Sequence, residues 1–319
     1  MRGSRTLVQP AVWSLALVTL GGGAASATAQ AWLPPRGEAA LALGYSRMWA
    51  TTHLDYTGTA LSPGDMIWNN VGLDLSYGVS DRFAVRVNLP FVISKYDGAF
   101  PHPPLAGVTA EDDGKYHSTF QDVSTELRFR VTPGSLALTP FVGLAIPTHA
   151  YPYYGHGAAG RKLVEGRFGV TAGRLLDPLL PDAYLQVRYM YVVPEKVLGI
   201  SHNSSNLGVD LGYLVGSSLT LRAMGAWQWT HGGWRVPIDW PARTSPDYLV
   251  HDQVQRTQYF RLGGAVAYSV TSALDVNLYG YSTISGKSDV NMSSLGVALT
   301  WSASPAQLIR KGRAAEASQ

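Results

Sequence analysis

Apolar residues at every second position, separated by small, polar or charged ones, recur along almost the whole of this chain. The run Ser294-Leu295-Gly296-Val297-Ala298-Leu299-Thr300-Trp301 is one example. A period of two belongs to extended strand, whose successive side chains point to opposite faces. Here Leu295, Val297, Leu299 and Trp301 share one face, and Ser294, Gly296, Ala298 and Thr300 share the other. A strand apolar on one side only, ending on an aromatic, suits a barrel with lipid outside and a polar lumen inside. Past residue 29 no apolar run of about 20 residues occurs, so no helix in the remainder is built to span a bilayer. Where backbone must cross hydrocarbon without helices, a closed barrel is what satisfies every N–H and C=O.

The N-terminus reads as an export signal. Arg2 and Arg5 make a basic start, Val8 to Leu20 an apolar stretch broken by Pro10 and Ser14, and Ala27-Thr28-Ala29 an A-x-A cleavage site. The mature chain is expected to start at Gln30. A transmembrane helix is the competing reading, but the apolar run is too short for a core of about 30 Å. Cysteine is absent from all 319 residues, which excludes a lipoprotein anchor, disulfides and thiolate chemistry. Charged residues make up 15%, where about a quarter is usual in soluble domains. Mean hydropathy is nevertheless +0.00, far from that of a helical membrane protein. A net charge of +3, scattered along the chain, argues against nucleic acid as a partner.

The alternation predicts an all-β fold: a transmembrane, antiparallel, up-and-down β-barrel of about twelve strands, an even number as bacterial barrels have. The expected strands run 38–49, 68–79, 83–94, 117–131, 136–147, 164–174, 183–193, 204–215, 219–230, 255–270 and 274–285, with a last one ending at Trp301. Connections at Ser80–Arg82, Thr132–Ser135, Gly216–Ser218 and Thr271–Ala273 are tight, whereas Lys95–Tyr116, Thr148–Leu163 and His231–Val254 are long. Short periplasmic turns and long outer loops are the habit of outer-membrane barrels, so both termini are expected in the periplasm. Leu175–Asp182 is a longer, Pro-containing exception. A soluble β-sandwich, the alternative, does not account together for the signal, the loop lengths and the aromatic strand ends.

The run Asp74-Leu75-Ser76-Tyr77-Gly78-Val79-Ser80-Asp81-Arg82-Phe83, followed by Val87-Asn88-Leu89-Pro90-Phe91, resembles the strand–turn–strand signature of the outer-membrane "meta-pathway of phenol degradation" transporters. Gln121 to Phe129 is similar to that family's next segment, and Leu144-Ala145-Ile146-Pro147-Thr148 to the strand end that follows. The likeness spans about residues 36 to 301. It departs at His117-Ser118-Thr119-Phe120, where the family has a Gly-rich opening. The resemblance implies uptake of hydrophobic or aromatic compounds.

Strand phase turns Asp74, Arg86, Asp122, Glu126, Arg128, Arg130, Glu165, Arg167, Arg188, Asp210, Arg222, Arg261 and Asp275 inward. These are the candidate lumen-lining residues. They either pair across strands and fill the interior or form a selectivity lining. Arg outnumbers acid, which points towards anionic solutes. His202, Ser204 and Asn206 share one strand face, as the groups of an outer-membrane phospholipase do, but the phase places them towards the lumen with Asp210. A lipid-hydrolysing site needs the lipid face, so no catalytic residue is assigned. Asp112, Asp113 and the scattered histidines have no metal-ligand spacing, and no phosphate loop occurs, so neither metal nor cofactor is expected. Aromatics gather near the long loops: Trp49, Trp68, Tyr151, Tyr153, Tyr154, Trp227, Trp229, Trp234 and Trp240. They read either as an interfacial girdle, the reading favoured for Trp227 and Trp229 on the lipid face, or as an aromatic mouth for apolar solutes, with Trp234 and Trp240 able to fold inward.

The expected division is a signal peptide at 1–29, a barrel at 30–303 and a polar periplasmic tail at 304–319. The expected function is a passive outer-membrane channel or transporter for small solutes, hydrophobic or aromatic ones in particular, and not an enzyme. A lipid-hydrolysing barrel and a barrel without an open pore are the alternatives. Export by the Sec route, the barrel-assembly machinery, outer-membrane lipid and lipopolysaccharide are the partners such a chain needs. The oligomeric state is open.

Overall fold

The computed structural model describes residues 31–62, 64–103, 108, 110–132, 136–236 and 245–303. The signal segment, the 304–319 tail, turn residues 133–135 and Trp240 lie outside the described residues.

Twelve antiparallel strands close into one barrel. They are β1 Ala39–Leu54, β2 Gly64–Gly78, β3 Phe83–Gly98, β4 in two segments His117–Phe120 and Asp122–Phe129, β5 Leu136–Pro147 and β6 Glu165–Leu175. The circuit continues with β7 Ala183–Pro194, β8 His202–Val215, β9 Leu219–Gly232, β10 Gln258–Thr271, β11 Leu274–Lys287 and β12 Asp289–Ala303. Each strand pairs with its sequence neighbour, and β12 closes the ring on β1 with Leu43 opposite Leu299 and Leu41 opposite Trp301. A two-residue strand, Ala60–Leu61, folds back on His53 and Leu54 as a spur. A single closed sheet leaves no packed second sheet, so the β-sandwich alternative falls.

The exterior explains the alternation. Leu127, Val142 and Leu278 are 57–58% exposed, and Leu43, Leu73, Leu144, Phe168, Leu262 and Leu299 stand beside them in a continuous apolar band. Soluble monomers do not carry such a surface, whereas hydrocarbon stabilises it. Aromatics rim the band. Tyr77, Phe83, Tyr213, Tyr268 and Trp301 mark the end with the chain termini, and Trp49, Trp227 and Trp229 the end with the long loops. By the loop-length rule the first end is periplasmic and the second external.

β1, β2 and β3 run past their expected outer ends. Outward residues there are Thr51, Asp65, Lys95 and Asp97, with Lys95 and Asp97 2.9 Å apart. The apolar signal stops where lipid stops, while the hydrogen-bonded ladder continues into water. In β4 the register changes: Phe91 faces Phe120, but Asn88 faces Ser124. One extra residue on β4 makes a bulge at Gln121, whose N–H donates to the Pro90 carbonyl at 2.9 Å. Pro90 has no N–H for the ladder, and this interruption is where a strand tolerates proline.

A strap crosses the periplasmic end. β1 begins at Ala39, yet Ala31 lies across the lumen against β5 and β7. Its N–H donates to Gln186 Oε1 at 2.9 Å, and its carbonyl accepts from Thr139 Oγ1 at 2.6 Å. The Trp32 ring meets Tyr184 edge-on at 6.2 Å. Gly173 allows the approach, because a Cβ there would lie 2.4 Å from the Ala31 Cβ.

Candidate functional site

The inward charges mostly pair. Asp74 meets Arg86 at 2.9 Å, Glu126 meets Arg188 at 2.5 Å, and Glu165 meets Arg161 at 2.6 Å and Arg167 at 2.7 Å. Asp210 accepts from Arg222 Nε at 2.9 and 3.1 Å. Arg261 reaches Asp289 at 2.7 Å. The Glu126–Arg188 pair joins β4 to β7 and the Arg261–Asp289 pair β10 to β12, so both brace strands that are not neighbours. Arg128 is fully buried in the same group. Asp122 accepts the Tyr151 hydroxyl at 2.5 Å instead. Arg130 and Asp275 are half-buried at the periplasmic rim and belong to none of these pairs. Arg161 and Asp289 were missing from the sequence-derived set. Asp289 has the opposite parity to inward Met292 and Ser294: the pairing of β12 with β1 shifts register between Met292 and Val290, so the alternation carried back from the last strand would have turned it outward.

A second feature of the lumen is apolar. Met48, Met66, Trp68, Val92, Tyr96 and Met292 pack together near the outer end, along β12, β1, β2 and β3. Below them Ala42, Met224, Ala265, Tyr279, Tyr281 and Ala298 form a second cluster on adjoining strands. Every methionine from Met48 onward points inward and is buried, Met190 included. Side chains that would suit the lipid face equally well line the interior instead. Near its outer end the wall formed by β12, β1 and β2 is thus largely apolar, while paired charge is spread over β2 to β4, β6 to β10 and β12. Trp68 belongs to this wall and not to the girdle, with its indole N–H directed at the Ala158 carbonyl, 3.4 Å away.

The long loops fold into the outer mouth as a plug. Gln121 Nε2 donates to Ala159 O at 2.8 Å, and Gln253 Nε2 to Arg161 O at 2.8 Å. Tyr154 Oη donates to Pro103 O at 3.1 Å. Tyr151 and Tyr154 are buried in the plug, and Trp234 is half-buried. At its centre sits Asp112. One Oδ2 accepts from His102 N at 2.9 Å and His102 Nδ1 at 2.7 Å, and contacts His156 Nδ1 at 3.0 Å; Oδ1 accepts from Gly157 N at 2.8 Å. Burial alone raises this carboxyl, but the hydrogen bonds from the histidines overcome it and hold the group well below the usual carboxylate range. His102 also faces His251, with the Nε2 atoms 3.4 Å apart and Asp252 beside both. Three loops with no periodicity thus gather histidines and acids that are far apart in sequence. Their spacing, which carried no metal pattern, held no hint of it. A cavity of about 300 Å³ opens beside the cluster, lined by Leu54, Leu61, Phe100, Val236 and Tyr248 as well as by His102 and His251. A smaller one of about 150 Å³ lies beneath it, against Met48, Met66 and Met292.

His202, Ser204 and Asn206 are buried on the lumen face. Asn206 Nδ2 donates to Ser204 Oγ at 3.1 Å, and His202 hydrogen-bonds to neither. The three do not form a nucleophile–base relay, and they face away from lipid.

No family model matches this chain, and no curated protein sequence matches it. Solved structures do. The COG4313 outer membrane channel from Pseudomonas putida F1 superposes with a TM-score of 0.65 at 13% identity, over 86% of this chain and 98% of that one. The chain has the fold of an outer-membrane β-barrel. The NanC porin aligns at a TM-score of 0.48 and 9% identity, over 82% of this chain and 98% of its own. The KdgM porin, in a complex with disordered oligogalacturonate, aligns at 0.44 and 6%, over the same shares.

Proposed function

We propose that this barrel is a passive outer-membrane channel for small solutes, selective for apolar and aromatic ones. The observation that carries the proposal is the pair of clusters of methionine, tyrosine and other apolar side chains that line the lumen. A pore for hydrophilic solutes gains nothing from burying five methionines on its inner face. Flexible thioethers accommodate aromatic rings of varied shape. The mouth cavity of about 300 Å³ is at the lower end of the usual size for a small-ligand pocket, and its lining is mostly apolar. In this reading a solute enters at Phe100 and Tyr248, passes under the plug to Met66 and Met292, and descends past Tyr281 and Met224. Paired arginines and acids around the lumen brace the barrel and largely cancel one another, so a preference for anions is not part of the proposal. The resemblance to the phenol meta-pathway transporters favours the same class of cargo, and the fold shared with an outer membrane channel is compatible with it. Export through the Sec route and insertion by the barrel-assembly machinery are the path we propose to that membrane.

Proteoliposomes test this reading. Influx of a neutral monoaromatic should exceed that of a sugar of similar mass, relative to protein-free vesicles. Met292→Asp should slow the aromatic and leave the sugar unchanged. Equal rates for both solutes in the wild type would sink the selectivity, and no flux at all would favour a barrel without a pore.

A further inference from the structure

The hydrogen bonds around His102 and His251 set the tautomer that each neutral ring adopts. His102 Nδ1 faces the Asp112 carboxylate at 2.7 Å, and His251 Nδ1 faces the Tyr248 carbonyl. Both partners only accept, so each Nδ1 carries a hydrogen. In the neutral rings each Nε2 is then a lone pair. The two Nε2 atoms point at one another across 3.4 Å. Asp252 adds its oxygens to the same spot, Oδ1 at 3.2 Å from His251 Nε2 and Oδ2 at 3.8 Å from His102 Nε2. Three electron-pair donors converge, and the arrangement calls for a cation among them.

The geometry points to a binding site for a divalent transition metal of the zinc class, ligated by His102 Nε2, His251 Nε2 and one carboxylate oxygen of Asp252. Bonds of about 2.0–2.1 Å to a tetrahedral zinc place neighbouring ligand atoms about 3.3–3.4 Å apart. The two Nε2 atoms already have that spacing, and a rotation of the Asp252 carboxylate, whose Oδ1 lies 3.2 Å from one ring and Oδ2 3.8 Å from the other, brings one oxygen to both. His102 and His251 are buried, and all the ligand atoms of this triad lie within 4.8 Å of one another. The surroundings are those of a built site. Ligating histidines donate their other N–H to a carboxylate or a carbonyl, which fixes tautomer and ring orientation; Asp112 and the Tyr248 carbonyl do this here. Gly155 N–H holds Asp252 Oδ2 at 3.2 Å. Two imidazole nitrogens favour zinc, copper, nickel or iron over calcium and magnesium. The fourth position faces the mouth cavity, where a water or a solute donor completes the shell. The second triad, His102, Asp112 and His156, is not the site, because Asp112 is already occupied by four donors. His102 comes from the β3–β4 loop and His251 and Asp252 from the β9–β10 loop, so the metal ties two loops across the mouth.

The test uses untagged full-length protein folded in detergent micelles. Cobalt(II) should bind once per chain with the visible absorption of a four- or five-coordinate site, and zinc should displace it while millimolar magnesium does not. His102→Gln and His251→Gln should each abolish the absorption. Asp112→Asn should keep it and weaken binding about 10–100-fold. His117→Gln and His231→Gln, outside the cluster, should change nothing. Heat-modifiable migration on gels verifies that each variant is a folded barrel. Zinc should also lower the conductance of the wild type and not of His251→Gln. Absence of saturable cobalt or zinc binding below about 1 mM, or wild-type binding by both histidine variants, overturns the site. Intact binding with unchanged conductance overturns the tie across the mouth. The titration reads the site without any transport, so it stands or falls apart from the cargo.

Discussion

Leu89 and Asn88 are adjacent in β3 and face different surroundings. Leu89 points outward into the apolar band, and Asn88 is buried in the lumen. Leu89→Arg places a charge in hydrocarbon near mid-strand and should cost about 2–4 kcal/mol. Asn88→Arg should cost less, because the lumen already holds arginines and acids. Urea unfolding from lipid vesicles measures both, and equal losses would mean that the two faces are misassigned. The braces make a second residue-scale prediction. Glu126→Gln leaves Arg188 without its carboxylate inside the barrel and should destabilise by about 3–5 kcal/mol. Replacing both Glu126 and Arg188 by leucine should be milder than either single change. A double variant that loses the sum of the two singles would show that the pair is not coupled.

Strands, strap and plug differ in how far the chain discloses them. The strands were legible because lipid imposes a period of two on every outward position, so Leu41-Ala42-Leu43 or Val85-Arg86-Val87 announces its faces directly. Strand ends were less so, since Thr51, Asp65 and Lys95 follow the ladder into water without the apolar mark. Which charges share a strand face could be read; which of them touch could not. Glu126 and Arg188 meet only because the sheet closes and brings β4 opposite β7. The plug was hidden altogether, because His102, Asp112, His156 and His251 sit in loops where no periodicity fixes their relative positions. The strap was equally silent: nothing in Ala31-Trp32-Leu33-Pro34-Pro35 says that it turns under the barrel. Its contacts make a prediction at this scale. Gln186 and Thr139 are fully buried beneath Ala31, so removing residues 31–36 should open the periplasmic end and raise single-channel conductance in planar bilayers. Thr139→Val combined with Gln186→Leu should act in the same direction by releasing the strap. Unchanged conductance in both would place the restriction at the loop plug alone.

Orientation and closure belong to the molecule as a whole. The three longest connections lie at one end, so a cysteine at Arg235 should label from outside intact cells and one at Ser217 should not; the reverse pattern would turn the barrel over. Closure rests on the pairing of β12 with β1, which runs from Leu54 opposite Asp289 to Ala39 opposite Ala303. Among the described residues the ladder that seals the ring runs to Ala303, the residue before the tail of 304–319. Its Arg310, Lys311 and Arg313 would be costly in hydrocarbon, which is why we expect it to remain in the periplasm. Deleting 304–319 should leave a heat-modifiable, membrane-inserted barrel. Leu299 and Trp301 act differently: both are exposed to lipid on the last strand, opposite Leu43 and Leu41. Leu299→Ala with Trp301→Ala removes apolar area and the interfacial ring where the seam must form, and should sharply reduce the inserted fraction in outer-membrane preparations. If the tail deletion abolishes insertion while the double substitution leaves it intact, the seam is not what directs assembly, and recognition must lie in the last sixteen residues.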